Sequence, residues 1–152
     1  MEKLKKILFP IDFSDVYPAI MPWVRTMAEK FDSEIHLLFV ARSLAYYTNV
    51  YVPYAAIEDL EQQVVKGSET TMEQFVNKHF SEYSNCKAKV VVGDPSEEIL
   101  NYAKNEDIDM IIIGTHGRKG LEKILFGSVA RRVIRMSPVP VLSINPHKET
   151  KG

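Results

Sequence analysis

Apolar residues along this chain gather in five short blocks, at residues 7–13, 35–41, 88–92, 110–113 and 139–144. Each is a nearly continuous run of aliphatic and β-branched side chains rather than a strict alternation with polar ones. That pattern predicts strands covered on both faces, as in a parallel sheet. Between the blocks the period changes. Ile20, Val24, Met27, Ala28 and Phe31 recur at the spacing of one helix face. Pro22 lacks the donor that an interior turn requires, so the regular helix is expected to begin near Ala19 or to bend at Pro22. Ile57, Leu60, Val64, Phe75, Val76 and His79 outline a longer helical region, expected to break near Gly67.

Two further helix starts and stops are written locally. Asp94-Pro95-Ser96-Glu97 combines a capping acceptor, a proline at the first helical position and a glutamate three residues after the cap. Ile99, Leu100 and Ala103 then supply a buried stripe. The last helix is expected over 128–136, with Val129 and Val133 facing inward and Ser137-Pro138 ending it. Strand and helix alternating with short links predict a parallel sheet sandwiched by helices, because parallel neighbours need a crossover. The stretch 42–55, with Tyr46, Tyr47, Tyr51 and Tyr54, is too long for a simple link and is expected to lie over one end of the sheet.

Composition narrows the class. At 152 residues, 45% hydrophobic and 26% charged, the chain is long enough for one ordinary core. A net charge of -1 argues against a protein whose main task is coating phosphate backbones, so no nucleic-acid partner is expected. The lone Cys86 excludes an internal disulfide and suits a reducing compartment. The apolar run behind the basic start ends at Asp12, too short for a signal core or a membrane span. A cytoplasmic protein without a membrane partner is the expectation.

The chemistry concentrates in one segment. Gly114-Thr115-His116-Gly117-Arg118-Lys119-Gly120 leaves a predicted buried strand, and Gly127-Ser128-Val129 opens a predicted helix. Gly114 and Gly117 let backbone amides approach a bulky anion without interference from Cβ. Gly127 and Ser128 place unpaired amides and a hydroxyl at a helix N-terminus, which carries roughly half a positive charge. The spacing Gly-x2-Gly-x9-Gly-Ser resembles the nucleotide-binding signature of the ATP-binding branch of the universal stress protein family. The resemblance extends to the opening Lys6-Ile7-Leu8-Phe9-Pro10-Ile11-Asp12-Phe13-Ser14, to Val40 ending the second strand, to the Gly93-Asp94-Pro95 turn, and to the closing Pro138-Val139-Pro140-Val141-Leu142.

That resemblance implies a single doubly wound α/β domain over 1–146 with a polar tail over 147–152, similar to the adenine nucleotide alpha hydrolase-like folds. It implies a five-stranded parallel sheet in the order 3-2-1-4-5 with helices on both faces. It implies ATP or another adenine nucleotide as ligand, with Mg. Asp12 would stand beside ribose and phosphates, directly or through a cation. Val40 would offer its backbone to the adenine edge, and Pro10, Ile11 and Ile113 would wall the base. Gly114, Gly117, Gly127, Ser128 and Val129 would hold ribose and phosphates, with Arg118 beside them. A homodimer through the last strand, 139–144, is implied as well, and a protein partner that reads the bound state is left unidentified.

Plainer readings stand beside these. Asp12 can cap the following helix, although Ser14 and Asp15 are better placed, and the glycines can serve as turn residues. His116 reads as a solvent-facing loop residue rather than a base. Arg118, Lys119 and Lys123 reach phosphates or only solvate the loop. Arg131, Arg132 and Arg135 read as a solvated helix face. Cys86 and the methionines read as packing. A P-loop, Gly-x4-Gly-Lys-Ser/Thr, is missing, so the expectation is reversible nucleotide binding with slow turnover at most. The alternatives are a nucleotide-free dimeric scaffold and a true ATP-hydrolysing or nucleotidyl-transferring enzyme.

Overall fold

The computed structural model describes residues 3–13, 17–43, 53–115 and 127–147. The elements run β1 (Lys6–Pro10), α1 (Tyr17–Phe31), β2 (Glu34–Arg42), α2 (Tyr54–His79), β3 (Cys86–Gly93), α3 (Pro95–Asn105), β4 (Met110–Gly114), α4 (Ser128–Met136) and β5 (Val141–Ile144). The strands form one parallel sheet in the order β3-β2-β1-β4-β5, the order expected.

Alternate residues of the buried strands feed two cores. Ile7, Phe9, Ile35, Leu37 and Ile112 pack with Ile20, Val24 and Ala28 of α1 and Met72 and Phe75 of α2. Leu8, Leu38, Ile111 and Ile113 pack on the other face with Ile99 and Ala103 of α3 and Ala130 and Val133 of α4. Removing both faces of β1, β2 and β4 from water is why those strands read as unbroken apolar runs.

Several boundaries differ from expectation. β1 ends at Pro10 rather than Phe13, because Phe13 turns into the left-handed region with φ 59°. α1 begins at Tyr17, before Ala19, and carries Pro22 within its length. Its buried face, Ile20, Met21, Val24 and Ala28, outweighs the one helical bond Pro22 cannot make. β3 is longer than its apolar core because all eight of its residues register against β2, and exposed Lys87 and Lys89 alternate onto one of its faces. β5 begins at Val141, since Val139 is held in a local turn in which its N–H donates to Ser137 Oγ (3.1 Å) and its carbonyl accepts from that hydroxyl (2.7 Å).

The expected break at Gly67 is absent: α2 runs unbroken through 26 residues. One glycine costs a helix only about 1 kcal/mol, and the burial of Met72 and Phe75 offsets it. In α4 the inward positions are Ala130 and Val133, with Val129 half-buried beside them. The cap on α3 is as predicted, with Asp94 Oδ2 accepting the Glu97 N–H at 3.0 Å.

Candidate functional site

The two central strands are tied at one end and apart at the other. At the N-terminal end, Asp109 Oδ2 accepts the backbone N–H groups of Lys5 (2.8 Å) and Lys6 (2.9 Å), and the Asp109 N–H donates to the Lys6 carbonyl (2.9 Å). The β1–β4 ladder then covers only Ile7 with Met110 and Leu8 with Ile111. By contrast β1 and β2 stay paired through Pro10, and the Ile11 N–H still donates to the Leu38 carbonyl at 2.9 Å. Successive amides point to opposite sides of a strand, so Ile11 facing β2 puts Pro10 on the β4 side. Proline has no N–H to offer there, and the ladder stops. The result is a crevice at the carboxyl ends of β1 and β4, where the winding of the sheet reverses.

Gly114, half-buried, ends β4 at this crevice. The next residue, Thr115, is buried, and its N–H bonds back to β5 at the Ile144 carbonyl (2.9 Å). Its carbonyl accepts the Gly127 N–H at 2.6 Å. The chain therefore leaves β4 at Thr115 and returns at Gly127 to the same place, where α4 starts. A Cβ on Gly127 would stand 3.0 Å from the Thr115 carbonyl oxygen, tighter than most real Cβ contacts, so the closure favours glycine. The Gly127 φ of -59° makes no such demand; the demand comes from the close approach.

No side chain caps α4 at Gly127. The Arg131 N–H makes the first helical bond, to the Gly127 carbonyl at 3.0 Å, leaving the amides of Ser128, Val129 and Ala130 ahead of it. α3, by contrast, is capped three times over at Asp94. Its carboxylate accepts from the Glu97 N–H, from Ser96 Oγ (2.8 Å) and from Arg132 (3.2 Å). The Glu97 amide, the Ser96 hydroxyl and then Arg132 and Arg42 hold this carboxyl below its ordinary value, against the effect of burial. Arg132 is exposed, as expected of a solvated face, but it also reaches from α4 to Asp94 and to Ser96 Oγ (3.0 Å) and ties the two helices together.

The remaining expected residues divide. Pro10, Val40 and Ile113 alternate onto the α3/α4 face, and Val40 and Ile113 belong to its core. Ile11 is buried on the opposite face with α1 and α2, so its side chain does not join them. Asp12 is exposed just beyond β1, and the left-handed Phe13 follows it. Phe13 holds that conformation with its ring stacked on Phe39 (4.5 Å between centroids) and edge-on to Phe75 (6.3 Å). A shallow depression at Pro10, Ile11, Asp12, Phe13, Tyr17 and Phe75 opens toward α1 and α2; it does not include Val40, Gly114 or Gly127. His116, Gly117 and Arg118 lie outside the described residues, as do Ser14, Asp15 and Tyr46, Tyr47 and Tyr51.

Two features escaped the sequence reading. Gly127's near-contact with Thr115 is a tertiary fact with no sequence signal beyond the glycine itself. His36 is fully buried in the middle of β2, bonded to Glu34 and Tyr102. Its presence within a strand of aliphatic residues was the available sign.

Comparison with known proteins agrees with this architecture. The sequence model of the universal stress protein family matches residues 3–145. The universal stress protein MJ0531 of Methanocaldococcus jannaschii is 33% identical over 147 residues, covering 95% of this chain and 85% of that one. The solved structure of the protein MJ0577 superposes with a TM-score of 0.84 at 30% identity, covering 98% of this chain and all of that one. A universal stress protein from Archaeoglobus fulgidus, solved in complex with dAMP, shares the fold at 20% identity and a TM-score of 0.64, covering 95% of this chain and 100% of that one.

Proposed function

The chain belongs to the universal stress protein family, and from that premise we propose that it is a regulatory adenine nucleotide-binding module. ATP with Mg is the proposed ligand, bound reversibly and turned over slowly at most. The observation that carries this reading is the crevice between β1 and β4 with the uncapped amides of Ser128, Val129 and Ala130 beside it. Three convergent N–H groups at a helix N-terminus are a ready site for phosphate. The dAMP bound by a protein of the same fold supports an adenine nucleotide as its owner.

In this arrangement the base lies toward Val40, Pro10 and Ile113, and the ribose toward Asp12 and Gly114. The phosphates lie on Gly127, Ser128 and Val129; Gly117 and Arg118, outside the described residues, are the further phosphate contacts proposed. Ile11 contributes its backbone. Among the described residues no group of three or more His, Cys, Asp or Glu side chains is set to hold a metal. Mg therefore arrives with the nucleotide, with Asp12 as its protein contact. The missing P-loop lysine and hydroxyl favour storage and signalling over hydrolysis.

A homodimer through 139–144 is part of the same proposal. Pro140 and Ile144 point their carbonyls at β4, so the amides of Val141 and Ser143 point away from it, toward the open edge. Pro140 thus removes no outward donor. Among the described residues no helix is long and apolar enough to cross a membrane, in keeping with the cytoplasm as the proposed compartment. The proposed domain spans 1–146. Calorimetric titration with ATP, ADP and AMP, with and without Mg, tests the binding, and a multiple-turnover assay tests the slow hydrolysis. Heat absent for all three nucleotides would leave only the scaffold alternative, and turnover well above the buffer background would favour the enzyme.

A further inference from the structure

On the α1/α2 face of the sheet, α2 lies against β2 and β3 and α1 against β4, so helical cover thins toward β5. Leu142 and Ile144 of β5 turn to that face and stay half-buried. One flank of α1 is taken up by α2 and the turn after it: Arg25 Nη2 donates to the His79 carbonyl (3.1 Å), and Glu29 accepts from the Tyr83 hydroxyl (2.8 Å). Two residues turn a helix by about 200°, so Trp23 stands on the opposite flank, toward β5. It is 48% exposed, a large apolar surface to leave in water. Met27, one turn further along, is half-buried below it.

The other face repeats the pattern. Arg132 turns to α3, and Ile134, two residues on, takes the opposite flank of α4 and is 39% exposed. Apolar side chains therefore gather along the rim of β5 on both faces. Between them runs the strand edge whose outward donors are the amides of Val141 and Ser143.

We propose that a second copy of this chain covers this rim, with Trp23 as the anchor of the interface and Ile134 closing the opposite face. The inference rests on the β5 pairing proposed above and names the side chains that stabilise it. β5 has four residues, about 13 Å of strand, and its backbone pairing alone falls short of the roughly 1,200 Å2 that stable interfaces bury. A tryptophan buries up to about 250 Å2, and tryptophans are over-represented among the residues that dominate interface energy. Symmetry sets the geometry. In a parallel ladder each residue bonds to the two neighbours of the residue opposite, an offset that identical strands about a two-fold axis cannot both satisfy. The pairing is therefore antiparallel about an axis normal to the sheet, which keeps the α1 face of both copies on one side. Trp23 of each copy then overhangs the Leu142 and Ile144 side chains of the other.

Trp23 is the only tryptophan of the chain, so its emission reads the rim directly. The full chain is diluted in steps, with light scattering following its mass and fluorescence following Trp23. The emission is expected to shift to the red in step with dissociation. Trp23→Ala is expected to raise the dimer dissociation constant at least about thirtyfold, the loss typical of an interface hot spot. Tyr54→Ala removes an aromatic ring that is 80% exposed on α2, toward the other end of the sheet, and should leave that constant unchanged. Circular dichroism checks that Trp23→Ala is folded, and the wild-type emission decides alone if it is not. Emission indifferent to dissociation, or a dimer equally tight in folded Trp23→Ala, overturns the inference and leaves the β5 pairing standing. A chain that is monomeric at every concentration overturns both.

Discussion

Gly127→Asp separates the phosphate site from the fold. Aspartate is a good helix N-cap and gains a few tenths of a kcal/mol over glycine at that position. Against this, its Cβ would meet the Thr115 carbonyl oxygen at 3.0 Å, so that carbonyl must give by a few tenths of an ångström. The two effects nearly cancel, and the melting temperature should stay within about 2 °C for a chain of this size. Binding should not stay. The new carboxylate would accept from the Ser128–Ala130 amides that the phosphates need, and hydrogen bonds to charged groups contribute about 1.5–3 kcal/mol each. Two like charges about 4 Å apart near a protein surface add about 4 kcal/mol of repulsion. Even a loss of about 3 kcal/mol raises Kd for ATP roughly a hundredfold. Gly127→Asn keeps the size and removes the charge, so its loss should be smaller by the repulsive part. Calorimetry and thermal melts on the three proteins read both quantities. The reasoning is refuted if Gly127→Asp binds ATP within threefold of wild type.

Other outcomes follow from single contacts. Asp94→Ala removes the α3 cap and the anchor of Arg132, and should cost about 1–2 kcal/mol in urea denaturation. Because folding depresses the Asp94 carboxyl, its contribution is present above the unfolded value of about 4 and is lost as pH falls through the folded one. Wild type should therefore lose part of its advantage over Asp94→Ala below about pH 4, read by melts across pH. Gly67→Ala has open space around the new methyl and should stabilise α2 by up to about 1 kcal/mol, raising the melting temperature by about 2–4 °C. Destabilisation there would mean the helix is not continuous. Ser143→Pro removes an amide that faces the open edge and is spared by β4, so light scattering should show dimer giving way to monomer while the fold persists. An unchanged dimer would place the interface elsewhere.

Much of this architecture was legible because it depends on local chemistry. The Asp94-Pro95-Ser96-Glu97 cap is complete within four residues, and the unbroken runs of β1, β2 and β4 reflect burial on both faces. What could not be read depends on tertiary packing. Gly67 sits in a helix that Met72 and Phe75 hold down from further along, so a local helix breaker was outweighed. Arg132 is exposed as its sequence position suggests, but its partners, Asp94 and Ser96, lie more than thirty residues away and could not be read locally. Ile11 looked like a neighbour of Pro10 at the site, yet strand alternation sends its side chain to the other core. The crevice itself follows from where a missing proline N–H falls in the β1–β4 ladder, which needs the register to be known.

The central claim is that the opening turn of α4 receives the phosphates of an adenine nucleotide. Titration of nitrogen-15-labelled protein with Mg-ATP, following each backbone amide by NMR, tests it most directly. The account predicts that Ser128, Val129 and Ala130, together with Gly114, shift most and saturate with one binding constant. Those four amides standing still while others move on saturation would contradict it.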